Sequence, residues 1–210
     1  MKRCGVLTLL TGISSMVITA CAPNAPNDET AVPPRAKGPS ATAEAINPAN
    51  AGSLQTYDGT AYRYPIRANY PASMVVDGGC IGEGCGFSFT FAPRGNAMDN
   101  ARVHVFLPAG TASAADLEGS VMGPDGLIAG AGWTINSIRS ERSEEFPYHW
   151  VKTVISFSDT REQAGYVLLG ETSGQAVQVL MTFPVERAQA YRNDAGIILE
   201  SLAFEEEWFP

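Results

Sequence analysis

The chain has 210 residues, with 14 basic side chains against 22 acidic ones and a formal net charge of -8. An acidic chain with no basic stripe lacks the positive charge that neutralises phosphates, which excludes a nucleic-acid binder. After the first 20 residues no run of 18 apolar residues occurs, so no membrane-spanning helix is expected in the remainder.

The N-terminus has the three parts of an export signal. Lys2 and Arg3 are positive, Val6 to Ile18 is mostly apolar, and the small residues of Ile18-Thr19-Ala20 precede Cys21. That apolar stretch is short of the roughly 20 residues a spanning helix needs. Ile18-Thr19-Ala20-Cys21 resembles the lipobox of bacterial lipoproteins. The resemblance implies cleavage before Cys21, a diacylglyceryl group on its thiol and usually an acyl chain such as palmitate on the new amino group. Each buried methylene contributes about 0.8 kcal/mol, and two or more chains hold a protein stably at a bilayer. The implied partner is therefore a membrane, reached through lipid on Cys21, and the implied address is the periplasmic face of the envelope. Ala22 occupies the position where enterobacterial lipoproteins retained in the inner membrane carry aspartate, which points to the outer membrane. Cleavage removes Lys2 and Arg3 and moves the net charge from -8 to -10.

Residues 21–53 read as the lipidated cysteine and a disordered tether. Prolines 23, 26, 33, 34, 39 and 48 are interleaved with Ala, Asn, Ser and Thr, and no aromatic residue is present. Such a segment buries too little surface to offset chain entropy. A flexible chain of this length spans on the order of 30 Å. Residues 54–210 hold every Trp, Tyr and Phe, have the size of one domain, and show no internal repeat.

Strand patterns dominate this domain. Thr60 to Ile66 carries Tyr62 and Tyr64 in alternation. Phe87, Phe89 and Phe91 alternate with Ser88 and Thr90, and Val103, Val105 and Leu107 alternate with Arg102, His104 and Phe106 up to Pro108. Further strands are expected around Trp133–Ile138, Trp150–Phe157, Tyr166–Leu169 and Ala176–Phe183, the last two joined by a hairpin loop over Gly170–Gly174. A helix is expected over Ser113–Met122, capped by Ser113 and stopped by Gly123-Pro124. A second is expected over Val185–Ser201, opened by Pro184, with Ala188, Tyr191, Ala195, Ile198, Leu199 and Leu202 on one stripe. Leu202-Ala203-Phe204 follows as a short apolar piece. Neighbouring strands with short loops imply an α+β fold, a mostly antiparallel sheet with helices packed on it.

Between the first strands lies Gly78-Gly79-Cys80-Ile81-Gly82-Glu83-Gly84-Cys85-Gly86, which reads as a glycine loop free to turn tightly. With Cys4 removed and Cys21 lipidated, Cys80 and Cys85 are left to pair in an oxidising compartment. So short a loop contributes only about 2 kcal/mol. The spacing is C-x4-C, unlike the C-x-x-C of redox enzymes, so a structural disulfide is the main reading and a redox role the alternative.

The order of elements resembles the PsbP family of photosystem II extrinsic proteins. The matching features are the strand Ala101–Pro108 with its following turn and helix at Ser113–Met122, the late hairpin, and the terminal helix running into Ser201-Leu202-Ala203-Phe204. The resemblance covers residues 60–205 and implies an α/β/α sandwich. Members include lipoproteins, photosystem assembly or stabilising subunits and a Ran-binding import factor, and are mostly non-catalytic binders. The glycine–cysteine segment and the long tether depart from the family, and no binding residue carries over.

Candidate sites are few. His104 sits mid-strand, pointing opposite to its valine neighbours, as a structural histidine. Phe146-Pro147-Tyr148-His149-Trp150 is a candidate interaction patch, although aromatics at a strand start more often simply pack. Gly170–Gly174 is not a G-x-S-x-G elbow. The acids Glu205–Glu207 lack the preorganised loop of a calcium site. Trp208-Phe209 either packs back or binds a partner. No catalytic, metal or cofactor site is expected. The function read from these residues is a lipid-anchored, non-catalytic binding or assembly module of the envelope with a protein partner. The alternatives are a carrier, which would need an apolar pocket of about 300 Å³ or more, and an envelope enzyme with converging polar groups.

Overall fold

The first strand, β1 (Leu54–Asp58), turns back into β2 (Ile66–Pro71) to form an antiparallel pair. Between them, where alternation predicts a strand from Thr60, the chain makes a 3-10 turn over Gly59–Tyr62. The cause is Asp58. Its carboxylate accepts from the Thr60 amide at 3.0 Å and from the Thr60 hydroxyl. This local bond offers the backbone a turn in place of a ladder. The computed structural model describes residues 52–62, 66–91, 101–140 and 143–204. The expected signal segment, Cys21, nearly all of the tether, Tyr64, Glu205–Glu207 and Trp208-Phe209 lie outside the described residues.

The segment expected to be a glycine loop is instead a β-hairpin. β3 (Val75–Ile81) and β4 (Gly84–Thr90) pair antiparallel around a turn at Gly82-Glu83. Its glycines serve packing more than flexibility. A side chain at Gly78 would meet the Phe87 ring at 2.8 Å, and one at Gly86 would meet the His104 ring at 3.0 Å. Gly84 is the position that demands glycine, with φ of +142° and the Leu107 carbonyl 2.3 Å from where a Cβ would stand. Hydrophobic alternation is broken in β3 because Gly78, between Val76 and Cys80 on the inward face, has no side chain.

β5 (Arg102–Pro108) follows, then α1 (Ala114–Met122). The helix starts where expected. Ser113 caps it, accepting from the Asp116 amide while the Asp116 carboxylate accepts from the Ser113 amide. A short helix not expected from sequence, α2 (Leu127–Gly130), leads to β6 (Thr134–Ser140) and β7 (Val151–Ser158). β8 (Gln163–Thr172) and β9 (Gln175–Pro184) form a hairpin. Its loop is shorter than expected: only Ser173 and Gly174 turn, both at positive φ (47° and 77°), as in the two-residue hairpins whose twist matches the strands. After a 3-10 turn at Val185–Arg187, α3 (Ala188–Ser201) buries Tyr191, Ala195, Ile198 and Leu199, and β10 (Ala203–Phe204) joins β2.

Strands β3-β4-β5-β9-β8-β7-β6 make one seven-stranded sheet, every pair antiparallel, and β1-β2-β10 a small second one. On one face α1 and α2 pack Leu117, Val121 and Ile128 on Ile155, Phe157, Val167, Leu169 and Leu180. On the other, α3 and the small sheet pack Ile66, Tyr191, Ile198 and Leu199 with Phe87, Phe89, Val103, Val105, Leu168 and Met181. The central strands are thus buried on both faces, which is why β8 reads Val167-Leu168-Leu169 without alternation. Each fully buried large apolar side chain contributes about 1.5–3 kcal/mol. The fold is α+β, a mostly antiparallel sheet with helices packed on it.

Candidate functional site

The segment from Ser143 to Trp150 joins β6 to β7 and is mounted from below. Trp150 is 1% exposed and Phe146 4%. The Trp150 ring lies where a Gly170 Cβ would stand, 2.5 Å away, and it meets the Phe204 ring edge-on at 5.9 Å. Phe146 packs edge-on against Tyr166 at 4.9 Å. Tyr148, half-buried, stacks parallel to Trp150 at 6.2 Å, and His149 is exposed. Of the four residues in the expected patch, two are therefore core, and Tyr148 and His149 are what the surface shows.

A polar clamp holds the same segment from the side. Glu145 Oε1 accepts from the Arg192 guanidinium at 3.0 Å and from the Tyr166 hydroxyl at 2.9 Å, and Arg139 approaches the second oxygen at 4.0 Å. Arg192 also lies over the Tyr166 ring at 5.8 Å. Burial, together with the Glu145 carboxylate, raises the Tyr166 pKa. Burial, then the charge of Glu200, does the same for Tyr148. Both phenols are kept as donors. The Arg192 Nε is buried and has no hydrogen-bond partner among the described residues.

Between this segment and α3 runs a cleft with Phe146, Met181 and Leu199 as its apolar walls and Tyr148 and Arg192 as polar ones. Gly196 forms its α3 side, and a Cβ there would meet nothing within 4 Å. Mid-helix glycine costs about 1 kcal/mol relative to alanine, and no close neighbour requires it. The cavity volume is about 60 Å³, far below the roughly 300 Å³ of a small-molecule carrier site. It has room for part of one side chain. Nothing in the sequence marked Glu145, Tyr166, Arg192 or Gly196, because the clamp joins positions up to 47 residues apart.

His104 lies on the sheet face opposite Val103 and Val105, as strand alternation dictates. Its Nδ1 is 2.8 Å from the Ser88 Oγ. Burial, and then the charge of Arg102, lowers its pKa. Asp77 stands opposite Ser88, and Ser88 opposite His104, so this acid neighbours the serine and not the imidazole, unlike the order of a Ser-His-Asp relay. Ser173 occupies the β8–β9 turn.

Cys80 and Cys85 face each other across β3 and β4, disulfide-bonded, with Cα atoms 4.0 Å apart. Cys80 is exposed and Cys85 half-buried. Among the described residues no three His, Cys, Asp or Glu side chains gather as a metal site would require, and no helix is long and apolar enough to cross a membrane.

No protein-family model and no curated protein matches the chain. Among solved structures it is similar to cyanobacterial PsbP from Synechocystis sp. PCC 6803, at 13% identity and a TM-score of 0.48, over 77% of this chain and 98% of that one. It is also similar to the Ran-binding protein Mog1p of Saccharomyces cerevisiae, at 9% identity and a TM-score of 0.46, over 75% of this chain and 99% of that one. The likeness is one of fold.

Proposed function

We propose that the protein is a lipid-anchored, non-catalytic binding or assembly module of the bacterial envelope, and that its partner is another envelope protein engaged through Tyr148 and His149. The observation that carries this reading is the mounting of that surface. Tyr148 is backed by the buried Trp150 ring and His149 is exposed, while the Glu145–Arg192 bond fixes the segment to α3. An aromatic held rigid before binding loses little entropy on binding, which is the property of an interface anchor. The lipobox and tether support the anchoring part, since they would hold the domain near a membrane while leaving its surface free to meet a neighbour.

The experiment is a photo-crosslinking residue at position 149, with a second at exposed Ile138 on the edge strand β6 as control. The proposal expects one discrete protein adduct from position 149 in native membranes and none from position 138. Equal, diffuse crosslinking from both positions would overturn the assigned surface.

A further inference from the structure

The Cys80–Cys85 bond adds little to a hairpin already closed by other means. The ladder runs through seven consecutive pairs, from Val75↔Thr90 to Ile81↔Gly84. β4 is paired along its whole length with β5, and the tip is tied down where the Ala109 amide donates to the Glu83 carbonyl at 2.9 Å. The cysteines are five positions apart, so the loop they close is among the shortest, where constraint of the unfolded chain contributes least. A staple here is nearly redundant.

Its accessibility is unlike that of a buried structural bridge. β3 is an edge strand of the large sheet, and Cys80 is exposed. Gly79 flanks it on one side, Gly84 and Gly86 flank its partner, and Gly78, two positions away on the same face of β3, carries no side chain to cover it. Cys85 packs against the core. The two sulfurs are therefore unequal, one open to an incoming nucleophile and one positioned as the leaving group. Exposed disulfides of this kind are the labile ones, whereas buried ones resist exchange.

We infer that Cys80–Cys85 is a thiol–disulfide exchange site, reduced in the folded protein by a dithiol of a partner protein. The partner's thiolate attacks the Cys80 sulfur, forming a mixed disulfide and releasing Cys85 as thiolate. The partner's second thiol then gives its proton to solvent and attacks the partner's first sulfur in the mixed disulfide, Cys80 leaves as thiolate, and the Cys80 and Cys85 thiolates take up protons from solvent. Two electrons pass from the partner dithiol, which becomes a disulfide, to Cys80–Cys85, which becomes two thiols. The β3–β4 ladder remains to hold the hairpin in the reduced form, so the fold survives the change.

The full chain in detergent, without denaturant, is exposed to graded dithiothreitol, quenched in acid and alkylated, with thiols counted by mass and near-UV circular dichroism followed in parallel. Two new thiols should appear at a rate proportional to dithiothreitol concentration, with the dichroism unchanged. In single variants, Cys85→Ser should leave a Cys80 thiol that reacts with oxidised glutathione roughly tenfold faster than the Cys85 thiol left by Cys80→Ser, following accessibility. Reduction that proceeds only as the dichroism collapses, or at a rate independent of dithiothreitol, would overturn the inference and leave the bond a staple. Equal reactivity of the two thiols would overturn the assignment of Cys80 as the attacked sulfur.

Discussion

Arg192 on α3 donates to Glu145 at 3.0 Å, tying the helix to the segment that carries Tyr148. Both side chains are about a third exposed, 37% and 31%, so solvent screens much of the attraction. Glu145→Gln should cost about 1 kcal/mol of global stability or less. Its larger effect should be local. Amide hydrogen exchange at Phe146 and Tyr148 should accelerate while that of β8 and β9 stays unchanged, and uniform acceleration would show that the clamp supports the whole fold.

Gly170 and Trp150 make a tighter contact. A Cβ at Gly170 would stand 2.2 Å from the Trp150 carbonyl oxygen and 2.5 Å from its ring. Backbone cannot swing aside as a flexible side chain would. Gly170→Ala should destabilise by about 3 kcal/mol, at the upper end for overpacking, as read from the midpoint of urea unfolding. A change under 0.5 kcal/mol, the usual range for an uninvolved site, would contradict the close approach.

Ser113 closes a reciprocal cap with Asp116 at the start of α1. Ser113→Ala should cost about 1 kcal/mol, and Ser113→Asn should recover most of it, because Asn caps nearly as well. Equal stabilities for the Ala and Asn variants would remove the cap from the account.

His104 gives stability a pH dependence. Burial, then Arg102, sets its folded pKa below the unfolded value of 6.5. The unfolded chain therefore binds the proton more readily, and its stability relative to His104→Gln is fully present above pH 6.5. That contribution should be lost as pH falls from there through the lowered folded value. Unfolding of both proteins across this window checks the sign, and an NMR titration of the His104 ring locates the folded value. A pH-independent difference would contradict burial of the neutral ring.

Much of this fold is legible in the residues. The alternating Phe87–Phe91 and Val103–Leu107 runs become neighbouring strands, and the Ser113 cap and the Tyr191–Leu199 stripe become α1 and α3. The pattern fails where local chemistry competes with it. Asp58 turns the chain through a side-chain bond, and β3 hides among glycines that make room for Phe87 and His104. The candidate surface is only half legible. Tyr148 and His149 lie in a visible aromatic cluster, but no sequence pattern separates them from buried Phe146 and Trp150. The clamp and cleft depend on Glu145, Tyr166, Arg192 and Gly196, which meet only in the folded chain.

The anchoring claim has its own consequence. Cys21→Ser should leave the protein unlabelled by radioactive palmitate and shift it from the membrane to the soluble fraction, since the acyl chains carried at Cys21, two or more together, supply the stable attachment. Retention of the variant in washed membranes would contradict a lipid anchor at Cys21.

The most direct test of the central claim is purification of the tagged full chain from native membranes in mild detergent, with mass spectrometry of what co-elutes, beside a Tyr148→Phe/His149→Ala double variant. The account predicts one envelope protein in stoichiometric amount with the parent chain and at least roughly tenfold less with the variant, the loss of an interface anchor. A parent chain that elutes alone, or one that turns over a small molecule through a single essential side chain, would contradict it.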